Sequence, residues 1–527
     1  MAVAAVGALV VIIAAINFVT LMTARATRRA VEVGVRKAVG ARRRDLVVQF
    51  MGEALIYVAV AMLIGIVAAE LALPHVNAFL QRSLRFDYLA DPALVGALTA
   101  AALLTTVCAG VYPSLVLSAF RPAAVLKGSG GQSSGSVTVR QTLVVLQFAI
   151  LIGLIFMTVT IYRQTQFVLN GALRLDTDQV IRVAAPCGSS FEQEAKGLAG
   201  VKGVACASSK AFQLDTSETA VVMPDRSIKT LYVAQMGVGF FELHGLKPLA
   251  GRFFSKDHGE DVVLDRPNPP TDVQPSIILN EAGARFLGFS SPQTAVGKTV
   301  VWGRWSPGSG QTAAPANRPS QVVGIVPDFT LGSARTAVRP TIYFVDPSLS
   351  RFLAMKLDRE RMPEVLQGIR GLWRQTGHDR PTPFLFEAQA IQALYQDVIT
   401  QGVAIAVCAG LAVIIACLGL FALAAFVTER RTKEIGVRKA MGAGAAQVMR
   451  LLLWQFTKPV LWANLIAWPI AFWAMDYWLH GFAYRVDQPP WMFLAASVAA
   501  AAIAWATVSA HSWMAARARP ATALRSE

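Results

Sequence analysis

Two short segments carry a glutamate flanked by arginines at a spacing of four residues. In a helix this spacing places the three side chains on one face, where opposite charges can pair. The two sets are Arg28, Glu32 and Arg36, and Arg430, Glu434 and Arg438. No Ser/His/Asp or Cys/His set stands out, and the six histidines are scattered without metal-ligand spacing. The pattern therefore favours charged recognition of a partner over catalysis.

The two segments are copies of one pattern. "RRAVEVGVRKAVGA" (28–41) and "RRTKEIGVRKAMGA" (430–443) lie in regions that align without a gap at an offset of 402 residues. Besides the Arg–Glu–Arg sets, the further shared candidate site residues are Gly34, Lys37 and Gly40, and Gly436, Lys439 and Gly442. We expect each copy to form a short helix that Gly40 or Gly442 ends.

The helical period also assigns the apolar side of the first copy. A helix would place Val31, Val35, Ala38 and Val39 on one face, which we expect to lie against the membrane. One alternative is an interfacial anchor whose arginines serve only topology or anionic lipid. The other is a docking surface, and the repeated order of Glu, Gly and Arg-Lys favours it, because topology requires charge but no fixed order.

Composition and charge distribution indicate a membrane protein. The chain has 527 residues, of which 54% are hydrophobic and 16% charged, with a net charge of +16. Residues 165–400 hold 24 basic and 22 acidic side chains, and the flanks hold the other 25 basic and 11 acidic ones. The positive excess thus lies beside apolar blocks, which argues against a nucleic-acid surface and for cytoplasmic loops.

Seven apolar segments are long enough to span a bilayer as helices. They are 2–22, 52–73, 93–117, 141–162, 402–426, 457–478 and 491–512. The loops 23–44, 119–140 and 428–450 and the tail 511–527 are rich in Lys and Arg and are expected in the cytoplasm. The alternation places Met1 outside, which suggests that something upstream is missing.

The region between the fourth and fifth apolar segments reads as an α+β domain outside the membrane. Short β-type runs such as "PSIILN", "TIYFVD" and "FLAMKL" alternate with turn residues, and 281–288 and 362–377 are predicted helices. Cys187 and Cys206 fall here, and whether they form a disulfide stays open. "VGKTV" (296–300) resembles part of a phosphate-binding loop but has Pro292 where that loop needs glycine.

Four polar residues lie in or near the spanning segments, namely Asn17, Glu53, Glu70 and Asp476. Intramembrane acids can mark ion pathways. The three acids are close to predicted helix ends, so interfacial or helix-packing roles are favoured over proton coupling.

The whole chain resembles the FtsX-like, MacB-like permeases of ABC transporters. Besides both basic segments, the resemblance rests on "VYPSLVLSAFRPAAVLKG" (111–128), "FFELHGLKPLAGRFFSKD" (240–257), "SIILNEAGARFLG" (276–288) and "VVGIVPDFTLGSARTAVRPTIY" (322–343). It implies an α-helical transmembrane bundle of seven helices in two parallel repeats, with one inserted α+β periplasmic domain of the MacB-like core type. The family's first helix and first outer domain are absent.

The resemblance also implies a domain division. A truncated first membrane module (1–127) would be followed by a cytoplasmic linker (128–140) and a helix that opens the second module (141–163). A periplasmic domain (164–401) and the rest of the second module (402–527) would complete the chain. Pro122 and Pro520 would end the last helix of each module.

The function that the resemblance implies is that of a non-catalytic permease subunit in a bacterial inner membrane, without a cofactor of its own. A separate cytoplasmic ATPase dimer would dock on the helices around Glu32 and Glu434, and its ATP hydrolysis would move the periplasmic domain in efflux or envelope-related export. A periplasmic adaptor or envelope protein stays open as a further partner. The alternatives are a sensor that signals to an envelope enzyme or histidine kinase, a secondary transporter, which the parallel repeats disfavour, and a truncated product. The substrate cannot be read from the sequence.

Overall fold

The computed structural model describes residues 2–28, 30–80, 83–119, 134–169, 175–207, 217–265, 274–304, 316–329, 335–346, 352–376, 384–430, 434, 437–438, 441 and 443–517. Five residues singled out in the sequence lie outside these ranges, namely Pro122, Gly436, Lys439, Gly442 and Pro520.

Helices account for most of the described chain. They are α1 (Ala2–Arg28), α2 (Ala30–Ala38), α3 (Arg43–Leu80), α4 (Pro92–Ala119), α5 (Ser134–Phe167), α6 (Ser190–Lys196), α7 (Phe240–Leu243), α8 (Glu281–Phe286), α9 (Pro292–Ala295), α10 (Met362–Gln375), α11 (Glu387–Leu394), α12 (Gln396–Arg430), α13 (Ala445–Leu479) and α14 (Pro490–Arg517). A 3₁₀ helix covers Gly259–Asp265.

The strands all fall between α5 and α11. They are β1 (Val180–Val183), β2 (Val201–Ala207), β3 (Ser217–Val222), β4 (Ile228–Gln235), β5 (Ala250–Gly251), β6 (Ser276–Asn280), β7 (Thr299–Arg304), β8 (Ala316–Val326), β9 (Thr341–Phe344), β10 (Phe352–Leu357) and β11 (Phe384–Phe386).

The chain divides into two compact units. The helical unit contains Met1–Tyr162, Ile399–Tyr477 and Asp487–Glu527, and the sheet unit contains Arg163–Val398 with Trp478–Val486. The short segment of the sheet unit is held by Gln164. Its side-chain amide donates to the Tyr484 carbonyl at 2.8 Å, and its carbonyl accepts from the Val486 N–H at 2.9 Å.

Each of the seven predicted apolar segments lies within one long helix. Within the described part of the chain, five stretches are long and apolar enough to cross a membrane, at Val3–Thr23, Arg43–Ala78, Thr138–Phe167, Gln396–Thr428 and Pro490–Ser509. The apolar stretch of α4 is shorter, and α13, which contains Pro459 and Pro469, is not among the five. The spanning of 93–117 and 457–478 therefore stays a prediction.

The interior of the helical unit is built around α5. Phe148, Leu151 and Phe156 on this helix are fully buried, and the Phe156 ring stacks on Phe493 of α14 with centroids 4.1 Å apart. Helix α3, in contrast, exposes large aliphatic side chains such as Leu63 and Leu71. A helix that is apolar on its exposed side is suited to a lipid environment.

Six strands of the sheet unit close into a barrel. β8 is long enough to pair with β7 through its first half and with β6 through its second. The remaining pairings run β6–β9, β9–β4, β4–β3 and β3–β7, so the pairings among the described residues close into a ring, and β5 pairs with the second half of β8. Apolar residues such as Leu231, Ile277 and Ile342 are buried in its core. Closure removes the exposed strand edges that would otherwise invite pairing with other chains.

A second, four-stranded antiparallel sheet has the order β11-β1-β10-β2. α6 and α10 contribute to its core, which buries Ile181, Met355, Ile369 and Trp373. The amphipathic sequence of 362–377 predicted α10, and its buried residues recur at Val365, Ile369 and Trp373, the spacing of one helix face.

Cys187 and Cys206 form a disulfide in this sheet, so the question that the sequence left open is answered. Their Cα atoms are 5.8 Å apart, and the two residues are 19 positions apart in the chain. Cys206 lies on β2, and Cys187 precedes α6, so the bond ties the helix-bearing connection to the sheet. A disulfide presupposes an oxidising compartment, as expected for a domain outside the cytoplasm.

We expect Cys187→Ser together with Cys206→Ser to lower the stability of the four-stranded sheet by about 3 kcal/mol, because the unfolded chain regains the entropy of a short open loop. Hydrogen exchange of the β2 and β10 amides in the detergent-solubilised full chain measures this loss. Cys417→Ala, which removes a free cysteine from α12, is the matched control. Equal exchange in both variants would contradict the structural role of the bond.

Candidate functional site

The first basic segment forms the helix that the sequence predicts. Helix α2 covers Ala30–Ala38, and the Arg36 guanidinium pairs with the Glu32 carboxylate at 2.8 Å. Both side chains are partly exposed. Glu32 lies in the first turn, where the positive end of the helix dipole stabilises a carboxylate, and Arg36 and Lys37 lie in the last turn. Partial burial and the neighbouring Arg43 charge lower the pKa of Lys37.

The second segment has the same ion pair. Glu434, Val437 and Arg438 are helical, and Arg438 pairs with Glu434 at 2.9 Å. The fractional exposure of this pair matches that of the first copy within a few per cent. The Glu-to-Arg spacing thus produces the predicted pair in both segments. Arg28 and Arg430 end α1 and α12, and their side chains lie outside the described structure.

The two segments also end in the same way. Gly40 has φ +102°, a conformation that favours glycine. The Ala41 N–H donates to the Arg36 carbonyl at 3.0 Å and the Gly40 N–H to Lys37, the paired bonds of a Schellman motif. In the second copy, the Ala443 N–H donates to the Arg438 carbonyl, also at 3.0 Å. Gly40 therefore ends its helix as predicted, and the Ala443 bond is the one that corresponds to the Ala41 bond of the first copy.

The apolar stripe of α2 is turned away from α3, and its position against the membrane stays a prediction. The buried residue is Val33, which packs on Leu46 and Phe50 of α3. Val35 and Val39 are instead exposed, at 48% and 84%. The reason is that α3 folds back over the side of α2 that carries Val33, so the stripe with the higher apolar content is left open.

The second segment exposes the equivalent stripe. Val437 and Met441, which follow Val35 and Val39 by 402 residues, are exposed at 47% and 75%. Each copy thus presents two apolar side chains next to a Glu–Arg pair. Sequence reasoning did not single out Val437 and Met441, and its assignment of Val35 and Val39 to the membrane stays a prediction.

A polar ladder connects α2 to α3. The Arg36 guanidinium donates to Gln49 Oε1 at 2.7 Å, and Gln49 Nε2 donates to Glu53 Oε1 at 3.2 Å. With the Glu32 pair, four side chains link the basic helix to a helix that can span the membrane. This ladder supports a helix-packing role for Glu53 rather than a proton pathway. Glu70 likewise accepts a hydrogen bond from the Tyr88 hydroxyl at 2.9 Å.

Helix bounds in the two halves correspond. α1 and α12 end at Arg28 and Arg430, and α3 and α13 begin at Arg43 and Ala445, both pairs 402 residues apart. α4 and α14 have 28 residues each, begin with a proline and are 398 residues apart at both ends. The offset falls by four because α13 has 35 residues against 38 in α3, and the connection before α14 is one residue shorter than the one before α4.

Asn17 of α1 lies against Gly419 of α12, and these two positions are themselves 402 residues apart. Asn17 Nδ2 donates to the Ile415 carbonyl of α12 at 3.1 Å. A Cβ atom on Gly419 would lie 2.0 Å from Asn17 Oδ1, so only glycine leaves room for the amide. Asn17 therefore has the helix-packing role of a small and polar contact between apolar helices.

The sheet unit contains a buried charged cluster beside the start of α11. His244 Nδ1 donates to the Phe240 carbonyl at 2.8 Å, and His244 Nε2 lies 2.7 Å from Glu387 Oε2. Arg182 Nε lies 3.6 Å from the other Glu387 oxygen. Because Nδ1 must carry a proton to bond a carbonyl, a second proton lies between Nε2 and Oε2. His244 and Glu387 are fully buried, and Arg182 is nearly so.

Asp176 connects this cluster to the chain that arrives from α5. Its N–H donates to the His244 carbonyl at 3.0 Å. Burial alone would raise the pKa of Asp176, but the hydrogen bond and charge of Lys356 lower it overall. Hydrogen bonds of His244 therefore link Asp176, near the beginning of the sheet unit, to Glu387, near its end.

Two other patterns carry no site. The loop with Gly297 is followed by β7, which begins at Thr299, whereas a phosphate-binding loop opens a helix. Cys187, Cys206 and Glu192 come within metal-ligand distance of one another. The two sulfurs are bonded to each other, which removes them as thiolate ligands.

Comparison with known proteins identifies the helical segments. Residues 4–122 and 406–520 both match the family described as FtsX-like permease C-terminal. A curated relative, the macrolide export ATP-binding/permease protein MacB of Bdellovibrio bacteriovorus, is 36% identical over 66 residues, which is 12% of this chain and 10% of that protein. The matched part thus spans about a tenth of the relative's length.

Among solved structures, the extracellular domain of the noncanonic ABC-type transporter YknZ from Gram-positive bacteria is similar to part of the chain. The likeness covers 39% of this chain and 98% of that domain, with 11% sequence identity and a TM-score of 0.26.

The Asn17–Gly419 contact predicts an effect of helix packing. Gly419→Asn places a second side-chain amide in the space that the Asn17 amide already fills. It should destabilise the helical unit by about 1–3 kcal/mol, as overpacking does. Adding Asn17→Gly should restore most of the loss. The thermal midpoint of the detergent-solubilised full chain measures both. Gly410→Ala on the same helix, where an added Cβ meets no atom within 4 Å, is the control, and an equal effect there would contradict the contact.

The buried cluster predicts that Glu387→Ala destabilises the sheet unit by about 3–5 kcal/mol, because Arg182 and His244 lose their buried counter-charge. Glu387→Gln keeps a hydrogen bond to His244 and should cost less. Hydrogen exchange of the β1 and β10 amides in the full chain measures the difference. The exposed pair Glu281–Arg285 supplies the control Glu281→Ala, expected within about 0.5 kcal/mol. A Glu387→Ala effect no larger than this would show that the cluster is not structural.

Proposed function

This chain belongs to the FtsX-like permease family of ABC transporters, and from that membership we propose that it is a permease subunit that works mechanically with an ATPase in another polypeptide. ATP binding and hydrolysis would move the helical unit, and the movement would be passed to the sheet unit outside the membrane. The chain itself would have no catalytic centre and no cofactor. The two family segments would be parallel repeats, the modules 1–127 and 141–527, joined by the cytoplasmic linker 128–140.

The observation that carries the proposal is the pair of matching surfaces on the two basic segments. Each presents a Glu–Arg pair next to two exposed aliphatic or thioether side chains, Val35 and Val39 in one and Val437 and Met441 in the other. An exposed apolar patch with a polar rim is the usual composition of a protein interface. Two such patches on equivalent helices suit a partner that is itself a symmetric dimer. We assign the ATPase dimer as that partner.

The way in which force would leave this surface follows from the contacts of α2. The Arg36–Gln49–Glu53 ladder and the Val33 contact with α3 bind α2 to α3 by both polar and apolar contacts. Its Schellman end fixes where α2 stops. A push on α2 would therefore move α3 instead of bending the connection between them.

The second segment has a more direct connection. It follows α12, a continuous helix of 35 residues or about 52 Å. Tyr395 alone separates α12 from α11, which begins at Glu387 of the buried cluster. Two helices separated by one residue thus connect the basic segment to the residue that anchors the sheet unit, and we propose α12 as the main transmission element.

We place the protein in the bacterial inner membrane with the basic segments in the cytoplasm and the sheet unit in the periplasm. The excess of Lys and Arg beside the apolar segments supports this orientation through the positive-inside rule, and the disulfide of the sheet unit agrees with it. Efflux or export related to the cell envelope is the function class, and a periplasmic adaptor or envelope protein would be a further partner.

The double charge reversal Glu32→Lys with Glu434→Lys tests the coupling assignment. It breaks both exposed ion pairs and places a like charge against any complementary surface, so we expect association with the proposed partner ATPase to weaken by roughly tenfold or more. Co-purification and the ATP hydrolysis that the permease stimulates are the two measurements.

Glu281→Lys, which reverses a similar exposed pair on the sheet unit, is the matched control and should change neither. Unchanged association and hydrolysis in the double variant would show that these helices are not the docking site. Association with a histidine kinase or envelope enzyme, and with no ATPase, would favour a sensor instead.

A further inference from the structure

The outer side of α13 differs in chemistry from the equivalent side of α3. At an offset of 402 residues, Trp454, Lys458 and Trp462 take the places of Gly52, Ile56 and Val60. All three residues of α13 are exposed. One half of the helical unit therefore has a plain aliphatic surface here, and the other has a cation between two indole rings.

These residues line a cavity between α5, α12 and α13. Its volume is about 390 Å³, and its lining includes Arg140 from the start of α5 together with Lys458, Trp454 and Trp462. None of its lining residues is acidic. A cavity of this size with two cations and no carboxylate is complementary to a small anionic group.

A buried acceptor lines the same cavity. Gln455 Oε1 has no hydrogen-bond partner among the described residues. Its counterpart at the same offset is Glu53, which accepts from Gln49. In the second half, Leu451 stands where Gln49 would be and cannot donate. The site thus contains a buried acceptor whose donor must come from elsewhere. A buried acceptor that makes no hydrogen bond costs stability.

The position along the membrane normal identifies the kind of ligand. Arg140 directly precedes the apolar segment 141–162, and Lys458 lies at the start of 457–478. With the basic segments in the cytoplasm, both cations lie at the level of the inner-leaflet headgroups. Tryptophan is enriched at this depth, and basic pockets between helices there bind anionic headgroups.

We propose that this cavity is a binding site for an anionic phospholipid with a hydroxylated headgroup, of the phosphatidylglycerol type. Arg140 and Lys458 bind the phosphate, and Gln455 Oε1 accepts a hydrogen bond from a headgroup hydroxyl. Trp454 and Trp462 flank the lipid at the interface. The site is formed by the second half alone, because its cation, indole and amide side chains are not present at the matching positions of the first half.

Native mass spectrometry of the full chain released from nanodiscs tests the proposal. The nanodiscs contain phosphatidylcholine mixed with phosphatidylglycerol or with phosphatidic acid. We expect phosphatidylglycerol to be retained over phosphatidylcholine. Lys458→Ile, which installs the residue that α3 carries, should weaken that retention about fivefold, the effect of one cation near a lipid surface. Lys458→Arg should keep it. Gln455→Leu should lower the retention of phosphatidylglycerol, whose headgroup has hydroxyls, relative to that of phosphatidic acid, whose headgroup has none beyond the phosphate.

Arg44→Ala, which removes an exposed cation next to α2, is the matched control and should leave lipid retention unchanged. An equal loss of lipid retention with Arg44→Ala would show that retention depends only on general surface charge. That result would overturn the site. Equal retention of phosphatidylglycerol and phosphatidylcholine by the unaltered chain would also overturn it. So would a dimer of this chain, formed without lipid, that Lys458→Ile dissociates, since the cavity would then belong to a second copy.

Discussion

The absence of water from the bilayer interior is the constraint on which this structure depends. A backbone in hydrocarbon must satisfy its own hydrogen bonds, and a polar side chain there needs a partner from the protein. The helical unit meets both conditions with long helices and with a few local polar contacts, such as Asn17 with Ile415 and Glu53 with Gln49. Charge is thereby concentrated at the helix ends, and the basic segments are where the chain can offer a partner a polar surface.

The sheet unit, which in the proposed function would remain folded while the helices move, is stabilised by contacts of a different kind. The described strands of the barrel pair in a closed ring, the disulfide closes a short loop, and the buried His244–Glu387 pair ties distant parts of the chain together. These devices make the unit a stiff body. A stiff body transmits the displacement of one helix, whereas a loosely packed domain would absorb it.

Local periodicity predicted much of this fold. Hydropathy located the long helices, and alternation with turn residues located strands such as β6, β9 and β10. The spacing of four predicted the ion pairs of Glu32 and Glu434, because such pairs need only one helix. Contacts between distant segments could not be predicted in this way. Glu387 and His244 are 143 residues apart, and no local pattern connects them.

The contact that buries Val33 of α2 could not be predicted for the same reason. Periodicity divides a helix into faces but does not say which face another element will cover. Val33 is buried because α3 returns over it, and that return depends on Leu46 and Phe50, which lie beyond the helix. The stripe of Val35 and Val39 is consequently open to lipid, solvent or a partner, and the functional interpretation of the segment depends on which of these covers it.

The contact between Asn17 and Gly419 has a consequence for how two similar halves can meet. Two identical subunits about a twofold axis must place the same residue on both sides of the axis, so an amide would oppose an amide and a glycine would oppose a glycine. A single chain has no such restriction. Here one half supplies the hydrogen-bond donor and the other supplies the space and the carbonyl that receives it. Because the two halves are covalently joined in one chain, the residues on the two sides of this contact can differ and complement each other. In a symmetric dimer they would have to be identical.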